Sequence, residues 1–382
     1  MLDLLKRLKE KQKESLSLLQ EFVEIESFSH NKIGIDELGA HLIKIFSKYP
    51  ITAQSLKEEH YGNHLRIQLG TGEKQILLLS HLDTVYPKGT IKKMPFQIEG
   101  NKVKGPGVID IKASYVMVYH LFELMQDINL KDYQIVWLLT SDEEIGSPAG
   151  RDVVKKEAEK SRVVLVLEPA TDAGAVKTSR KGGGKYTIEV QGISAHAGLN
   201  PQDGANAIEE LAFQITNIVT LADHSKGTTI NTGEIKGGNL FNVVPEFARA
   251  EIDVRVSESS EVRRIQQAFG QLKSRNSRTK LNVSGSVYRP PLIKTEITDQ
   301  LLQIVQRKAE ILGFSIDEAM VGGGSDGNYA AETGVPVLDG LGAYGGGAHS
   351  PEEFLWIDSL AERTALLYCL IVELLKMDST WR

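Results

Sequence analysis

Three short runs of apolar residues constrain the fold of this chain more than any other feature of its sequence. They are Gln75–Ser80 (QILLLS), Gln134–Thr140 (QIVWLLT) and Val163–Leu167 (VVLVL). Because each run is apolar on both faces, it is typical of a strand buried in a largely parallel sheet. Helical patterns at Ala113–Met125 and Ala149–Lys160 separate the runs. The alternation predicts an α/β domain whose central sheet is flanked by helices.

The pattern changes near Gly182–Gly184, where alternating strands replace the continuous apolar runs. From there to Arg289–Pro291 the order of strands and helices reads β-α-β-β-α-β, the ferredoxin-like arrangement. Helical periodicity then resumes, with a last helix expected over Ile357–Met377. We therefore expect a catalytic α/β domain built from two segments, 1–180 and 291–382, with an α+β ferredoxin-like domain inserted at 181–290.

Composition and charge exclude several classes of function. The formal net charge is −6 and no cluster of Lys and Arg stands out, which argues against nucleic-acid and acidic-membrane partners. Charges interrupt the apolar residues of the N-terminal segment, so we interpret it as one amphipathic helix rather than a signal peptide or membrane span. Cys369 is the single cysteine, so no intramolecular disulfide can form. These features predict a cytoplasmic protein.

Acidic residues and histidines follow each of the three apolar runs. His81 and Asp83 end the first run, Asp142, Glu143 and Glu144 follow the second, and Glu168 follows the third. Ligands bind outside the carboxyl ends of the strands in open α/β sheets, so these side chains can converge on one crevice. His349, after the last strand, and Asp110, just before a helix, can join them.

Imidazole and carboxylate groups of this kind suit zinc. Five such ligands with two histidines are too many for one tetrahedral ion, whereas two ions about 3.5–4 Å apart that share a carboxylate would use them all. The adjacent Glu143 and Glu144 offer one general base and one ligand. Asp83 is placed to hold the second ring N–H of His81. Taken singly, each motif has a structural explanation, and the glycine-rich segment Gly322–Gly327 is expected to be a flexible loop.

A series of motifs in a fixed order resembles one known family. The motifs are HLDTVYPKGT (81–90), PFxIEGNKVKGPGVID (95–110), TSDEEIGS (140–147), LEP (167–169), SAHAG (194–198), NVVP (242–245), DVR (253–255), GGGSD (322–326) and AHS (348–350). In this order they resemble the M20 metallopeptidases, and among them the glutamate carboxypeptidase (carboxypeptidase G2-like) branch.

The resemblance implies a role for each candidate residue of the catalytic domain. It implies two zinc sites, with the ligands His81, Asp110 and Glu168 for one ion and Asp110, Glu144 and His349 for the other. Asp110 would bridge the two ions, Glu143 would be the general base, and Asp83 would support His81. Co²⁺ or Mn²⁺ would also suit these ligands.

The resemblance also implies functions for the inserted domain. In dimeric members this domain pairs the subunits, so we expect a homodimer in which His196 completes the active site of the partner subunit. Asn242 and Arg255 match residues that hold the substrate, and the guanidinium of Arg255 suits a bidentate contact with a carboxylate. Lys177 is a further candidate for carboxylate binding. A charged position on a strand face is the alternative explanation for Arg255.

These observations predict a zinc-dependent hydrolase that cleaves an amide or peptide bond next to a free carboxylate. The substrate would be a small N-acyl amino acid or a short peptide, and the product a C-terminal amino acid, with glutamate-type specificity. The Gly-Pro-Gly before Asp110 favours a carboxypeptidase over the alternatives within the family, which are an N-acyl-amino-acid deacylase and a dipeptidase. An alternative of another class is a catalytically silent binding or assembly protein, against which the intact ligand set argues.

Overall fold

The computed structural model describes residues 2–377 of the chain. The α-helices among these residues are α1 (Leu2–Glu10), α2 (Gln12–Glu24), α3 (Lys32–Phe46), α4 (Ala113–Met125), α5 (Gly150–Glu159), α6 (Ala207–Val219), α7 (Ser259–Gly270), α8 (Glu296–Leu312), α9 (Asp326–Glu332) and α10 (Ile357–Leu374).

The strands of the same residues are β1 (Ile51–Leu56), β2 (His64–Leu69), β3 (Lys74–His81), β4 (Gln97–Glu99), β5 (Lys102–Lys104), β6 (Tyr133–Thr140), β7 (Ser161–Val166), β8 (Val176–Arg180), β9 (Gly182–Gln191), β10 (Ala195–His196), β11 (Thr229–Gly237), β12 (Val243–Val244), β13 (Phe247–Val256), β14 (Lys280–Arg289), β15 (Glu318–Val321), β16 (Val337–Leu338), β17 (Gly345–Gly346) and β18 (Phe354–Trp356).

The chain forms two compact units. The first takes in the chain up to Ser179, Lys294–Met320 and the chain from Ser325 onward; the second takes in Arg180–Ile293 and Val321–Gly324. The second unit begins one residue before the predicted insertion 181–290 and ends three residues after it. Val321–Gly324 also belongs to the second unit, although the sequence pattern assigned it to the catalytic domain.

The first unit is built on a six-stranded sheet with the order β1-β2-β6-β3-β7-β16. Strand β3 pairs in parallel with β6 on one side and β7 on the other, and β16 is parallel to β7. Only β1 and β2, at one edge, pair antiparallel to their neighbours. The predicted α/β class with a mostly parallel sheet is confirmed.

The three apolar runs form the centre of this sheet, as their patterns predict. The side chains of β3 from Gln75 to His81 are all buried, and β6 and β7 are almost completely buried. Helix α4 is buried along nearly its whole length because it packs against α2 and α10 and also contacts β3 and β6 of the sheet. A core covered on both faces leaves the strand ends as the natural place for polar groups.

The second unit has the ferredoxin-like fold. Its main elements run β9-α6-β11-β13-α7-β14, and its antiparallel sheet has the order β11-β13-β9-β14. In β13 every second residue, from Ala248 to Val256, is buried against a core that includes Leu211 and Ile265 of the two helices. The alternate residues of this strand therefore project from the opposite face.

Two sequence-based expectations are wrong in detail. The N-terminal segment forms two helices, α1 and α2, which are interrupted at Lys11. The segment Gly322–Gly327 is a loop only in its first four residues, because α9 begins at Asp326 and the side chain of Ser325 forms a capping box with Asn328. None of the helices among residues 2–377 is long and apolar enough to cross a membrane.

Candidate metal centre

The loops after β3, β6 and β7 lie side by side, since these strands are parallel neighbours. The backbone ladder continues past the strands, with Leu82 donating to the carbonyl of Thr140 at 2.6 Å and Leu167 donating to that of Leu79 at 2.8 Å. The residues that follow are therefore held at one edge of the sheet. This edge carries the predicted candidates His81, Glu143, Glu144 and Glu168.

Asp110 lies at the centre of the cluster, with one histidine facing each of its oxygen atoms. Nε2 of His81 is 3.2 Å from Oδ1 of Asp110, and Nε2 of His349 is 3.2 Å from Oδ2. His349 also lies 3.0 Å from Oε2 of Glu144, and His81 lies 3.5 Å from Oε1 of Glu168. The five side chains thus form two groups that share the Asp110 carboxylate.

The donor atoms of these groups fit metal ions. At metal–ligand distances of about 2.0–2.1 Å, two ligand atoms of a tetrahedral site lie about 3.3 Å apart, close to the separations seen here. Nδ1 of His81 is 2.9 Å from the carbonyl oxygen of Asp83, which can only accept, so Nδ1 carries a proton. In the neutral ring the lone pair is then on Nε2, the nitrogen that faces the carboxylates. Within the described residues, Oε1 of Glu144 is buried and has no hydrogen-bond partner. A cation would satisfy this atom and offset the gathered negative charge.

The role of Glu143 is not decided by position alone. A carboxylate oxygen of Glu143 lies within 4.8 Å of ligand atoms of His81 and Glu168, and one of Glu144 lies equally near ligand atoms of His81 and Asp110. The side chain of Glu143 is 9% exposed, so it borders solvent where a substrate could reach it. Both general base and ligand are compatible with this placement.

The carboxylates and histidines perturb one another strongly. Burial raises the pKa of Asp110, but the facing His349 and His81 outweigh burial and hold that pKa well below its usual range. Burial, together with the charge of Asp110, raises the pKa of Glu144 to about 7. The carboxylates of Asp110 and Glu144 raise the pKa of the His349 imidazole to about 11. The cluster therefore favours positive charge between its carboxylates, which is the property of a cation site.

Asp83 supports the turn that carries the two glutamates. Its fully buried carboxylate accepts the backbone N–H groups of Glu143 and Glu144, each at 3.1 Å, and the hydroxyl of Ser29 at 2.7 Å. Oδ1 of Asp83 is 3.4 Å from Nδ1 of His81, farther away than the Asp83 carbonyl oxygen. The imidazole is thus oriented chiefly by the backbone of Asp83 and the glutamate turn by its side chain.

Three buried carboxylates around the centre have no role assigned from the sequence. Asp142 accepts the backbone N–H groups of Ala149 and Gly150, and Asp326 accepts the hydroxyls of Thr140 and Ser147. Glu353 accepts backbone N–H groups of the turn that carries Asp110. Burial raises the pKa of both Asp142 and Glu353 to about 7. The only sequence signal for Glu353 is its place four residues after His349.

The predicted catalytic residue His196 and the predicted substrate-binding residue Asn242 are neighbours within the second unit. Strand β10 pairs with β12 so that His196 lies opposite Val243, and Ala197 donates to the carbonyl of Asn242 at 3.0 Å. Nδ1 of His196 is 3.1 Å from the backbone N–H groups of Gly198 and Leu199 and must accept from them. The neutral ring then carries its proton on Nε2, and the exposed side chain can donate it to a ligand.

The remaining candidates occupy strand positions. Nε and Nη2 of Arg255 each lie 3.0 Å from the carboxylate of Asp253, two residues earlier on the outer face of β13. This bidentate pair agrees with the alternative explanation, a charged position on a strand face, and it uses the same guanidinium geometry that would bind a substrate carboxylate. Lys177 lies on β8 of the first unit, where its backbone pairs with that of Asp339.

Fold and site together define a metallopeptidase. The model of peptidase family M20/M25/M40 matches residues 77–373, and the chain belongs to this family. Carboxypeptidase G2 of Pseudomonas sp. (strain RS-16) is 31% identical over 374 residues, which are 94% of this chain and 89% of that protein. The predicted M20 resemblance is therefore confirmed, and the chain is a hydrolase of this family.

Solved structures share the whole fold at lower sequence identity. Aminopeptidase PepT from Bacillus cereus aligns with a TM-score of 0.79 at 22% identity, covering 96% of this chain and 99% of that chain. The Bacillus subtilis YXEP protein, described as a dinuclear metal binding peptidase of family M20, aligns with a TM-score of 0.71 at 15% identity, covering 97% and 100%. At these identities the likeness establishes the fold.

Proposed function

We propose that this chain is a two-zinc carboxypeptidase that hydrolyses an N-acyl amino acid or short peptide and releases the C-terminal amino acid, with glutamate as the preferred residue. The observation that carries the proposal is the Asp110 carboxylate, each of whose oxygens faces one imidazole at 3.2 Å. One ion would be held by His81, Asp110 and Glu168, and the other by Asp110, Glu144 and His349. The similarity to carboxypeptidase G2 supports the proposed reaction.

Zinc ions held there would supply Lewis acidity that polarises the scissile carbonyl and acidifies a water molecule. Glu143 would take the proton of that water and pass it to the leaving amine. Its backbone is held by Asp83, so the carboxylate starts from a defined position. Nε2–H of His196, from the partner subunit of a homodimer, would donate to the carbonyl oxygen as negative charge develops on it.

The substrate carboxylate would be bound by Arg255, and Lys177 is a separate candidate for the same role. Arg255 already holds the Asp253 carboxylate in a bidentate contact, which a substrate carboxylate could replace. Asn242 would contact the substrate beside His196, since the backbone carbonyl of Asn242 is hydrogen-bonded to Ala197.

A cytoplasmic location stays a prediction from the single cysteine.

The test is a hydrolysis screen with chelator-treated protein reloaded with zinc, cobalt or manganese. The substrates are N-acyl amino acids, their C-terminal amides, and dipeptides with free and with blocked N-termini. Metal-dependent release of glutamate from N-acylglutamate, without cleavage of the amide, supports the proposal. Preference for a free N-terminus would instead indicate a dipeptidase or an aminopeptidase, and release of short acyl groups from many amino acids would indicate a deacylase. Absence of both bound metal and turnover would favour the silent scaffold.

A further inference from the structure

A buried carboxylate lies directly behind the turn that carries Asp110. Glu353 is fully buried, and its Oε1 accepts the backbone N–H groups of Ile109 at 2.9 Å and Asp110 at 3.1 Å. Its Oε2 accepts the backbone N–H of Gly107 at 3.1 Å. Three donors of one short turn therefore converge on a single side chain from a distant part of the sequence. Charge-assisted bonds of this kind are stronger than neutral ones.

The same carboxylate is joined to the loop that carries His349. The hydroxyl of Tyr86 donates to Oε2 of Glu353 and lies 3.0 Å from the carbonyl oxygen of Ser350, the residue after His349. The backbone N–H of Glu353 donates to that same carbonyl at 3.1 Å. Glu353 and Tyr86 thus bind both loops. The two loops are far apart in the sequence, and this contact connects them next to the candidate metal centre.

The position of His349 needs such support. Its side chain is 51% exposed, and its backbone φ is +65°, a region that residues other than glycine seldom adopt. An exposed imidazole on a loop loses orientation unless its backbone is fixed. The 3.2 Å separation between His349 Nε2 and Asp110 Oδ2 then depends on how firmly the two loops are held together.

We infer that Glu353, acting with Tyr86, is a positioning residue that fixes Asp110 and His349 relative to each other and so sets the affinity of the metal position formed by Asp110, Glu144 and His349. The inference rests on the two-metal centre of the proposed function. Groups that orient metal ligands typically contribute about 10–100-fold to metal affinity. The other position depends less on Glu353, because it shares only Asp110 with this contact.

The test measures stepwise zinc binding to chelator-treated protein by competition with a chromophoric chelator, together with the Co²⁺ absorption spectrum and the urea midpoint of the metal-free protein. His349→Ala identifies which binding step belongs to its position. Glu353→Gln should weaken that step about 10–100-fold, because an amide has one accepting oxygen and turns donors toward a backbone N–H. Tyr86→Phe should weaken the same step by a smaller factor and leave the other step unchanged.

Glu210→Gln is the matched control. Glu210 is a buried carboxylate of the second unit that accepts the backbone N–H groups of Arg275 and Asn276, each at 2.9 Å, and it contacts no candidate ligand. Its substitution should lower the urea midpoint and leave both zinc steps unchanged.

Three outcomes would overturn the inference. Glu353→Gln protein that loses stability as Glu210→Gln does, yet binds both ions with wild-type affinity, would make Glu353 merely structural. If Glu353→Gln does not fold, unchanged stepwise affinities in Tyr86→Phe overturn the inference. Wild-type protein that binds no zinc contradicts the proposed function and this inference together, whereas unchanged affinities in the variants contradict the inference alone.

Discussion

Replacing Asp83 by asparagine should disturb both the stability of the first unit and turnover. Its carboxylate is fully buried and accepts three hydrogen bonds: Oδ1 accepts from Glu143, and Oδ2 accepts from Glu144 and from the hydroxyl of Ser29. Asparagine keeps the shape but has one accepting oxygen and two donors. In either orientation of the amide, at least one backbone N–H of the glutamate turn therefore faces an N–H group.

The magnitude follows from these contacts. In the better orientation the NH₂ group replaces Oδ1, and one buried N–H without a partner costs about 1–3 kcal/mol. The other two bonds change from charge-assisted to neutral, which removes roughly 1 kcal/mol each. Relief from burying a charge offsets part of this sum. We expect a loss of about 3 kcal/mol in the free energy of unfolding.

Urea unfolding of the metal-free protein measures this loss, and steady-state kinetics of the zinc protein measure its effect on catalysis. Displacement of the turn that carries Glu143 should lower kcat on the order of 10²-fold with a smaller change in KM. Ser29→Ala is the matched control, since it removes one donor and should cost about 1 kcal/mol. A variant Asp83→Asn within about 0.5 kcal/mol of wild type and with unchanged kcat would refute this account of Asp83.

Four further predictions follow from the site. The variant Glu143→Gln should keep its bound metal, as measured by metal analysis, while kcat falls on the order of 10²–10⁴-fold. If the metal is lost together with the carboxylate charge, Glu143 is a metal ligand. Amidated substrates should lose most of kcat/KM relative to the free acids, and Arg255→Ala should remove the difference, because a neutral amide cannot accept the charge-assisted bidentate contact that the Arg255 guanidinium offers a carboxylate; equal turnover of acid and amide by the wild type would contradict the assignment. His196→Ala and Glu143→Gln chains, each nearly inactive, should regain activity after subunit exchange, because one site of the heterodimer is intact; inactive mixtures with demonstrated heterodimers would exclude action in trans. Burial raises the pKa of Asp142 from its usual 3.8 to about 7, so its contribution to the free energy of unfolding is complete below about pH 3.8 and is lost as the pH rises through 7. Asp142→Asn should therefore flatten the decline of the unfolding free energy between these pH values. An unchanged slope in urea unfolding at a series of pH values would contradict this role of Asp142.

The fold was predictable because its signals are local. Strands β3, β6 and β7 follow from continuous apolar runs, and the ferredoxin-like unit follows from alternation and helical spacing. Each pattern records which side chains one segment buries, whatever the rest of the chain does. The break at Lys11 was missed because the apolar spacing continues across it from α1 to α2.

The sequence alone determined which side chains end the central strands, and this was enough to predict His81, Glu168 and one of the pair Glu143–Glu144 as candidate metal ligands. Only the tertiary structure decided that β3 lies between β6 and β7 and that Asp110 presents one oxygen to each histidine. The sequence likewise gave no indication that Glu353 binds the turn of Asp110. The physical reason is that periodicity reports the burial of single segments, whereas hydrogen bonds between remote segments arise only when packing brings their backbones together.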